Sequence, residues 1–190
     1  MEVVITMKYC SVCATPVEFS IPEGDNLPRY HCPACKTIHY QNPRIITCTL
    51  PIWNEQILLC KRNIEPRWGY WTLPGGFMEN GESVAEGALR ETWEEARNTP
   101  TLQQLFSIVN LPQFNQVHMF YLAKMTDCNF EPTPESLEVA LFDVSDIPWD
   151  QIAFRTVYHT LRHYEAQRHN PHPLPLLEHS IEPPSATVQG

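Results

Sequence analysis

The sequence lacks a hydrophobic run of the ~20 residues that a membrane-spanning helix needs. Its N-terminus also lacks the basic region, apolar stretch and cleavage site of a secretory signal, so we expect a cytoplasmic protein that does not enter a membrane. Basic residues are not in excess, because 13 Lys and Arg stand against 22 Asp and Glu and give a formal net charge of -9. Such a surface disfavours nucleic acid as a partner, whereas a small anion can bind where divalent cations reverse the local sign.

A disulfide framework is not expected from the seven cysteines, because their number is odd and a cytoplasmic compartment is reducing. Four of them form two pairs, Cys10-x2-Cys13 and Cys32-x2-Cys35, separated by 18 residues. This spacing is typical of a structural Zn²⁺ site, in which four thiolates leave no open position for catalysis. An iron centre of the rubredoxin kind and free thiols are the alternatives. The three other cysteines fall in or beside apolar strand-like runs and are expected to be buried: Cys48, Cys60 and Cys128.

The chain length fits one main domain with a small appendage, because 190 residues hold one core of about 100 to 150 residues and little more. Residues 1–40 combine the cysteine pairs with few apolar residues, so we expect a zinc ribbon there. Residues 41–169 are expected to form the main domain. Residues 170–190 contain five prolines and little apolar periodicity, and we expect a disordered, proline-rich tail.

The main domain alternates between strand-like and helix-like segments. The pair Ser83 and Glu86 has the spacing of a capping box and predicts the start of the first helix. His159 and His163 are four residues apart on the second helix, but without a neighbouring carboxylate motif we expect a surface role rather than a metal site. The predicted strands are 45–52, 56–61, 102–111, 116–125 and 138–144, and the predicted helices are 83–97 and 154–169.

Three glutamates on the first predicted helix, Glu91, Glu94 and Glu95, stand at positions i, i+3 and i+4 and therefore share one face. Like charges at this spacing destabilise a helix by roughly 0.2 to 0.5 kcal/mol per pair, and a hard divalent cation such as Mg²⁺ or Mn²⁺ would remove that cost. Taken alone, the array is more typical of a solvated acidic face than of a metal site. The preceding Leu73-Pro-Gly-Gly-Phe77 favours a site, because glycines let the backbone approach a ligand.

From Gly76 to Glu95 the spacing is Gly-x5-Glu-x7-Arg-Glu-x2-Glu-Glu. This pattern resembles the Nudix box, the signature of the Nudix hydrolases. Three positions depart from the family pattern: Thr92 replaces an aliphatic residue, Arg97 replaces a glycine, and Asn98 replaces the final aliphatic residue. We expect Asn98 to take the left-handed conformation at the end of the helix in place of the glycine.

The resemblance implies an α/β fold, a Nudix-type α/β/α sandwich around a mixed sheet, preceded by the small zinc ribbon. It also implies a metal-dependent pyrophosphohydrolase acting on phosphoanhydride bonds. By position, Glu91 and Glu95 would bind the catalytic Mg²⁺ or Mn²⁺ directly. Glu94 would bind it directly or through water, and the backbone carbonyl of Gly75 would complete the set.

The same resemblance gives the neighbouring residues supporting roles. Arg90 would brace the loop and helix through glutamate contacts, and Glu82 and Gly76 would be structural. The general base of this family often lies on a loop near the last strand, which corresponds here to residues 131–138. Within that segment we favour Glu135 or Glu138 as the catalytic base.

A zinc ribbon ahead of a Nudix domain resembles two groups, the NADH diphosphatases with the RNA NAD-decapping enzymes, and a group similar to FAD and ADP-ribose diphosphatases. The first group carries Ser-Gln-Pro-Trp-Pro-Phe-Pro, where this chain has Ser-Ile-Val-Asn-Leu-Pro-Gln-Phe at 107–114. The stretches 40–44 and 70–82 resemble the second group. The implied reaction therefore converts FAD or ADP-ribose to AMP and a phosphate monoester, with NADH or NAD-capped RNA as the alternative.

Substrate contacts are expected from basic and aromatic residues near the box. The candidates are Arg62 and Arg67 for phosphate and Trp68, Tyr70, Trp71 and Phe114 for stacking on adenine or flavin. Relatives that act on nucleotide diphosphates are often homodimers, so a homodimer is a further prediction.

A hypothesis of another class is a nucleic-acid-binding regulator that senses a metabolite through a Nudix domain. It would need a basic ribbon and a broken glutamate array. Residues 8–40 instead hold three fixed cations and three carboxylates, and the array is complete. A purely structural ribbon adaptor would leave the array without a purpose. The enzyme is the favoured interpretation.

Overall fold

The N-terminal unit is a three-stranded antiparallel sheet of β1 (Glu18–Ser20), β2 (Arg29–His31) and β3 (Ile38–His39). A computed structural model of the protein describes residues 7–183, and the chain divides into two compact units, 1–42 and 43–190. Within residues 7–42 only two side chains, Cys10 and Cys32, are buried. The cysteines therefore replace an apolar core in this unit. Residues 1–6 of the predicted ribbon lie outside the described part.

The second unit is built on a mixed sheet, as predicted, and this sheet has eight strands. The strands are β4 (Arg44–Trp53), β5 (Gln56–Arg62), β6 (Trp71–Thr72), β7 (Gly75–Phe77), β8 (Thr101–Leu111), β9 (Gln116–Lys124), β10 (Ser136–Phe142) and β11 (Leu177–Ser180). Six of them follow the order β10-β5-β4-β9-β8-β11, while β6 pairs with β5 and β7 pairs with β4. The pairs β4/β9 and β8/β11 are parallel, and the remaining pairs are antiparallel.

One helix covers each face of this sheet, α1 (Val84–Ala96) and α2 (Arg155–Gln167). Side chains along β5 alternate between the faces, as the pleat of a strand requires. Ile57 and Leu59 pack in the cluster that contains the α2 residue Leu161, whereas Leu58 and Cys60 pack with the C-terminal residue of α1. The predicted α/β/α sandwich around a mixed sheet is thereby confirmed. No helix within residues 7–183 is both long and apolar enough to cross a membrane.

Two of the three cysteines outside the pairs are buried as predicted, Cys48 and Cys60. The prediction for Cys128 is wrong, because this residue is exposed. It lies in the connection between β9 and β10, where the carboxylate of Asp127 accepts a hydrogen bond from the backbone N–H of Asn129 at 2.9 Å. A local turn therefore ends the apolar run before Cys128.

The C-terminal segment contradicts the predicted disorder over residues 170–183. Strand β11 pairs in parallel with β8, from Leu177 opposite Ser107 to Ser180 opposite Asn110. Leu174 and Ile181, on either side of the strand, are buried. Prolines exclude a helix here but permit a short edge strand anchored by two isolated apolar side chains. Residues 184–190, also predicted to be disordered, lie outside the described residues.

Candidate active site and cysteine cluster

Helix α1 begins with the predicted capping box. The side chain of Ser83 accepts a hydrogen bond from the backbone N–H of Glu86 at 3.2 Å, and the Glu86 carboxylate accepts one from the N–H of Ser83 at 2.8 Å. The helix ends differently from the prediction, because Arg97 rather than Asn98 adopts the left-handed conformation, with φ of 52°. The Arg97 guanidinium lies 4.0 Å from the ring centroid of Trp93 and so makes a cation–π contact with the last turn of the helix.

Asn98 and Thr92, the two other departures from the family pattern, are buried and hydrogen-bonded. Asn98 donates from Nδ2 to the carbonyl of Asn129 at 2.8 Å. Thr92 Oγ1 lies 2.7 Å from the carbonyl of Ala88 and 2.6 Å from Oγ1 of Thr49 on β4. A polar residue is therefore accommodated at position 92 because β4 presents a matching hydroxyl.

The glycine pair of β7 lies against the glutamate face of α1. A Cβ atom added to Gly76 would lie 2.6 Å from both carboxylate oxygens of Glu91. The backbone N–H of Gly75 donates to Oε2 of Glu95 at 3.0 Å. Register between β4 and β7, with Thr47 opposite Gly76, holds the pair in place. Only glycine lets the strand come this close to the carboxylates.

Arg90 holds the loop and helix together, as the resemblance implies. Its Nε and Nη2 donate to the two carboxylate oxygens of Glu82 at 3.0 and 2.8 Å. Its Nη1 donates to Glu91 at 2.8 Å and to Glu94 at 3.0 Å, and its Nη2 donates to the carbonyl of Phe77 at 3.1 Å. These bonds from Arg90, with the N–H of Glu79, lower the pKa of Glu82 to about 2. Glu82 is therefore a permanently charged anchor for Arg90.

Glu95 and Glu91 are the most enclosed carboxylates of the array. Burial raises the pKa of Glu95 to about 8, against the opposing effect of the Gly75 N–H, and burial also raises the pKa of Glu91. Glu95 is only 5% exposed. Arg62 is buried nearby, and its burial lowers the pKa of the guanidinium, an effect that the charges of Glu95 and Glu135 oppose. A bound cation would favour the charged forms of both Glu91 and Glu95.

The donor set fits a hard divalent cation. Glu91 and Glu95 offer carboxylate oxygens beside the backbone of the glycine pair, and oxygen ligands are those that Mg²⁺ and Mn²⁺ prefer. Glu94 is more open, with its side chain 44% exposed and turned to Arg90. Within residues 7–183 the carboxylate oxygens of the three glutamates do not gather within 4.8 Å of one another, as the sulfur atoms of the four cysteines do.

Glu135 is the base candidate that the structure brings to this site. It is exposed, and its charge contributes to raising the pKa of both Glu91 and Glu95. Glu138 instead pairs with Lys61 at 3.3 Å, and its side chain is 54% exposed.

Asn63 connects Glu135 to the loop after β5 and was not predicted from the sequence. Its backbone N–H donates to the carbonyl of Glu135 at 2.8 Å, and its Nδ2 donates to the carbonyl of Pro134 at 3.0 Å. Its Oδ1 accepts from the indole N–H of Trp68 at 3.2 Å. The only signal in the sequence is a polar residue directly after a strand, which is too common to be informative.

The predicted substrate residues separate into two groups. Arg62 ends β5, and Arg67, Trp68 and Tyr70 lie in the loop that follows. Arg62 donates to the carbonyl of Pro66 in this loop at 2.9 Å. The Arg67 guanidinium lies 5.4 Å from the Tyr70 ring centroid, and Trp68 is 57% exposed.

The other two aromatic candidates lie elsewhere. Trp71 is 5% exposed and packs edge-on against Phe142 at 4.9 Å, so the prediction that it stacks on substrate is wrong. Its apolar ring is needed in the core. Phe114 lies on a 3-10 turn, Pro112–Phe114, between β8 and β9.

The four cysteines of the ribbon converge, with all Sγ atoms within 4.8 Å of one another. The contacts between Cys10 and Cys35, Cys13 and Cys32, and Cys13 and Cys35 are 3.6, 3.4 and 3.5 Å. A tetrahedral metal with Zn–S bonds of about 2.3 Å needs sulfur atoms about 3.8 Å apart. Hydrogen bonds from Thr37 lower the pKa of Cys35 to about 6, which favours the thiolate that a metal binds.

Comparison with known proteins agrees with the division of the chain into an N-terminal ribbon and a main domain. Residues 8–41 match the family model described as Nudix N-terminal, a zinc ribbon, and residues 43–164 match the NUDIX domain. A crystal structure of a NUDIX hydrolase from Nitrosomonas europaea is 49% identical, with a TM-score of 0.87, and the match covers 92% of this chain and 99% of that one.

Two curated relatives differ in their named activities. The NAD-capped RNA hydrolase NudC of Chromobacterium violaceum is 29% identical over 159 residues, which cover 82% of this chain and 57% of that protein. The ADP-ribose pyrophosphatase of Methanocaldococcus jannaschii is 26% identical over 113 residues, which cover 57% of this chain and 67% of that protein. The chain thus spans little more than half the length of the first relative.

Proposed function

Since this chain belongs to the Nudix family, with a zinc-ribbon N-terminal domain before the NUDIX domain, we propose that it is a Mg²⁺- or Mn²⁺-dependent hydrolase of a diphosphate linkage in a nucleoside diphosphate derivative. The observation that carries the proposal is the pair of carboxylates formed by buried Glu95 and half-buried Glu91, which pack against Gly75 and Gly76, with Glu91 braced by Arg90. A diphosphate resists attack because its own oxygens are negative, and this arrangement would hold the cation that neutralises them.

In the proposed mechanism Glu91, Glu95, Glu94 and the Gly75 carbonyl would hold the divalent ion. When bound, the ion neutralises phosphate charge and makes a coordinated water more acidic. Glu135 accepts the proton of the attacking water, since it is exposed and its carbonyl is held at 2.8 Å by the backbone N–H of Asn63, the residue next to Arg62. Arg90 keeps Glu91 and Glu94 in position through its bonds at 2.8 and 3.0 Å.

FAD or ADP-ribose is the favoured substrate. Water adds to one phosphorus of the linkage, the bridging P–O bond breaks, and the products are AMP and a phosphate monoester. The exposed indole of Trp68 is available for stacking on a planar base or flavin, and Arg67 lies next to it for a phosphate contact. The likeness to an ADP-ribose pyrophosphatase supports this class of substrate.

NADH, NAD or NAD-capped RNA is the second candidate, favoured by the likeness to an NAD-capped RNA hydrolase. For a capped RNA the ribbon would have to tolerate a polyanion, yet Lys8, Arg29 and Lys36 are its only fixed cations between residues 8 and 40. Arg29 is already paired with Asp25 at 3.1 Å. The metabolite-sensing regulator receives no support from the complete glutamate array.

We assign Zn²⁺ to the cysteine cluster as a structural ion, because four sulfur ligands leave no open position. A cytoplasmic location and a homodimer remain predictions.

Product analysis with Mg²⁺ tests the proposal directly. FAD, ADP-ribose, NADH and an NAD-capped RNA are each incubated with the wild-type protein and with Glu95→Gln, and products are separated by chromatography. We expect AMP from FAD or ADP-ribose and a large loss of product with Glu95→Gln. Release of reduced nicotinamide mononucleotide from NADH, or of nicotinamide mononucleotide from the capped RNA, with no AMP from FAD or ADP-ribose, would replace the favoured substrate by the second candidate. Equal activity of both proteins on all four compounds would refute the hydrolase.

A further inference from the structure

A cavity of about 360 Å³ opens at the end of the sheet opposite the glutamate array. Its apolar wall includes Ile52, Trp53 and Leu122. Trp53 pairs with Gln56 at the start of β5, whereas Arg62, beside the array, ends that strand. A seven-residue strand is roughly 20 Å long at 3.3 Å per residue, so the cavity is remote from the proposed active site.

The C-terminal segment completes this cavity. The Gln104 side chain donates to the carbonyl of Leu174 at 2.8 Å and accepts from its backbone N–H at 3.0 Å. Leu174 is 3% exposed, so it is fixed by burial as well as by both hydrogen bonds. Together these contacts place His172 at the rim. The cavity is therefore a built feature of the fold and not a gap beside a loose tail.

The polar wall of the cavity is positive. Lys124 and Arg168 both line it, and neither forms an ion pair with a carboxylate in residues 7–183. Glu55 is the one carboxylate among the lining residues of the described chain, so the two cations outnumber it. Arg168 caps α2 and so interacts with the helix dipole, but Lys124, at the end of β9, has no such structural role.

Two aromatic side chains, Trp53 and Tyr164, stand near these cations. The volume lies at the low end of the roughly 300 to 1,000 Å³ of small-molecule pockets, and such pockets combine an apolar wall with a few convergent polar groups. The net charge of the chain is -9, so most of its surface repels anions. Cations without a carboxylate partner beside an apolar cavity therefore favour a small anion here, and the aromatic side chains favour one that contains a planar ring.

We propose that this cavity binds a phosphate monoester of nucleoside size, with its phosphate on Lys124 and Arg168 and its base against Trp53. The site is separate from the hydrolytic centre, and its occupation does not depend on the divalent ion. Each charged hydrogen bond to phosphate is worth about 1.5 to 3 kcal/mol, so losing one weakens binding by about 10-fold or more.

The test is titration of the full chain with AMP in a buffer without Mg²⁺ or Mn²⁺, followed by amide NMR shifts; no chelator is added, so the ribbon keeps its zinc. Without a divalent ion the carboxylates of the array repel phosphate, so binding there is suppressed. We expect saturable binding with shifts at residues 52–55, 122–125 and 164–174, and weaker binding of inorganic phosphate, which has no base. Arg168→Gln is expected to weaken AMP binding by about 10-fold.

Arg162→Gln is the matched control, because it removes the same charge from α2 at a residue engaged with Glu165 at 2.7 Å and outside the cavity lining. It should leave AMP binding unchanged. Absence of saturable AMP binding, shifts confined to residues 75–95, equal binding of inorganic phosphate, or equal loss in both variants would each overturn the proposal. None of these results depends on hydrolysis, so the proposed activity stands or fails separately.

Discussion

Gly76 and Glu91 approach so closely that a Cβ atom on the glycine would lie 2.6 Å from both carboxylate oxygens. A glycine is needed here because it lacks a side chain and not because of its backbone conformation, since its φ is not positive. Gly76→Ala should therefore push the Glu91 carboxylate aside and lower kcat by up to about 100-fold, the loss that a displacement of about 1 Å can cause.

Gly81→Ala is the contrasting variant for that experiment. A Cβ at Gly81 meets no atom within 4 Å, but its φ of 91° strains any side chain. It should lower the melting temperature and leave kcat close to wild type. If Gly76→Ala retained full kcat, the close approach would have no role in catalysis.

The buried pair Thr49 and Thr92 predicts a stability change that a double-mutant cycle can isolate. Thr92→Val restores the family's aliphatic residue but leaves the Thr49 hydroxyl without its partner at 2.6 Å. We expect a loss of about 1 to 3 kcal/mol in the free energy of unfolding, measured with urea. Thr49→Val combined with Thr92→Val should recover part of it, because both partners are then apolar. Strictly additive losses would show that the two hydroxyls do not interact.

His118 on β9 predicts a pH dependence of stability. Burial lowers the pKa of its imidazole to about 4 in the folded chain. As the pH falls from about 6.5 to about 4, the unfolded chain binds a proton that the folded chain does not, so stability decreases with falling pH by up to about 3 kcal/mol. Urea unfolding at several pH values should show a weaker acid dependence for His118→Gln. An unchanged slope would contradict the assignment.

The cysteine cluster predicts a local effect of metal loss. Cys32→Ser removes a buried ligand, so bound zinc measured by mass spectrometry should fall and hydrogen exchange in residues 7–42 should rise. Cys128→Ser, a change at an exposed cysteine outside the cluster, should alter neither quantity. Exchange that stays slow without zinc would mean that the ribbon is stable on its own.

The sequence predicted the features that depend on fixed spacing. The capping box at Ser83 and the convergence of the cysteine pairs follow from distances along the chain, whereas the placement of Glu91 and Glu95 beside the glycine pair was implied by the resemblance to the Nudix box. The contact between Asn63 and Pro134 joins residues 71 positions apart, and no local pattern encodes it.

The errors have local causes. The segment Leu177–Ser180 is too short to show a period, so β11 was missed. The aromatic side chain of Trp71 fits either a core or a ligand site, and only the contact with Phe142 decides between them. Arg97 takes the left-handed conformation in place of Asn98 because Asn98 is held in the interior by Asn129.

Strand β11 also has a consequence for the behaviour of the protein at high concentration. Strand β8 is 11 residues long, and without β11 its row of backbone N–H and C=O groups would be open to pairing with another molecule. The four residues of β11 occupy part of that row, and Gln104 fastens the chain that leads to them. The proline-rich segment therefore reduces the backbone edge through which two molecules could pair and aggregate.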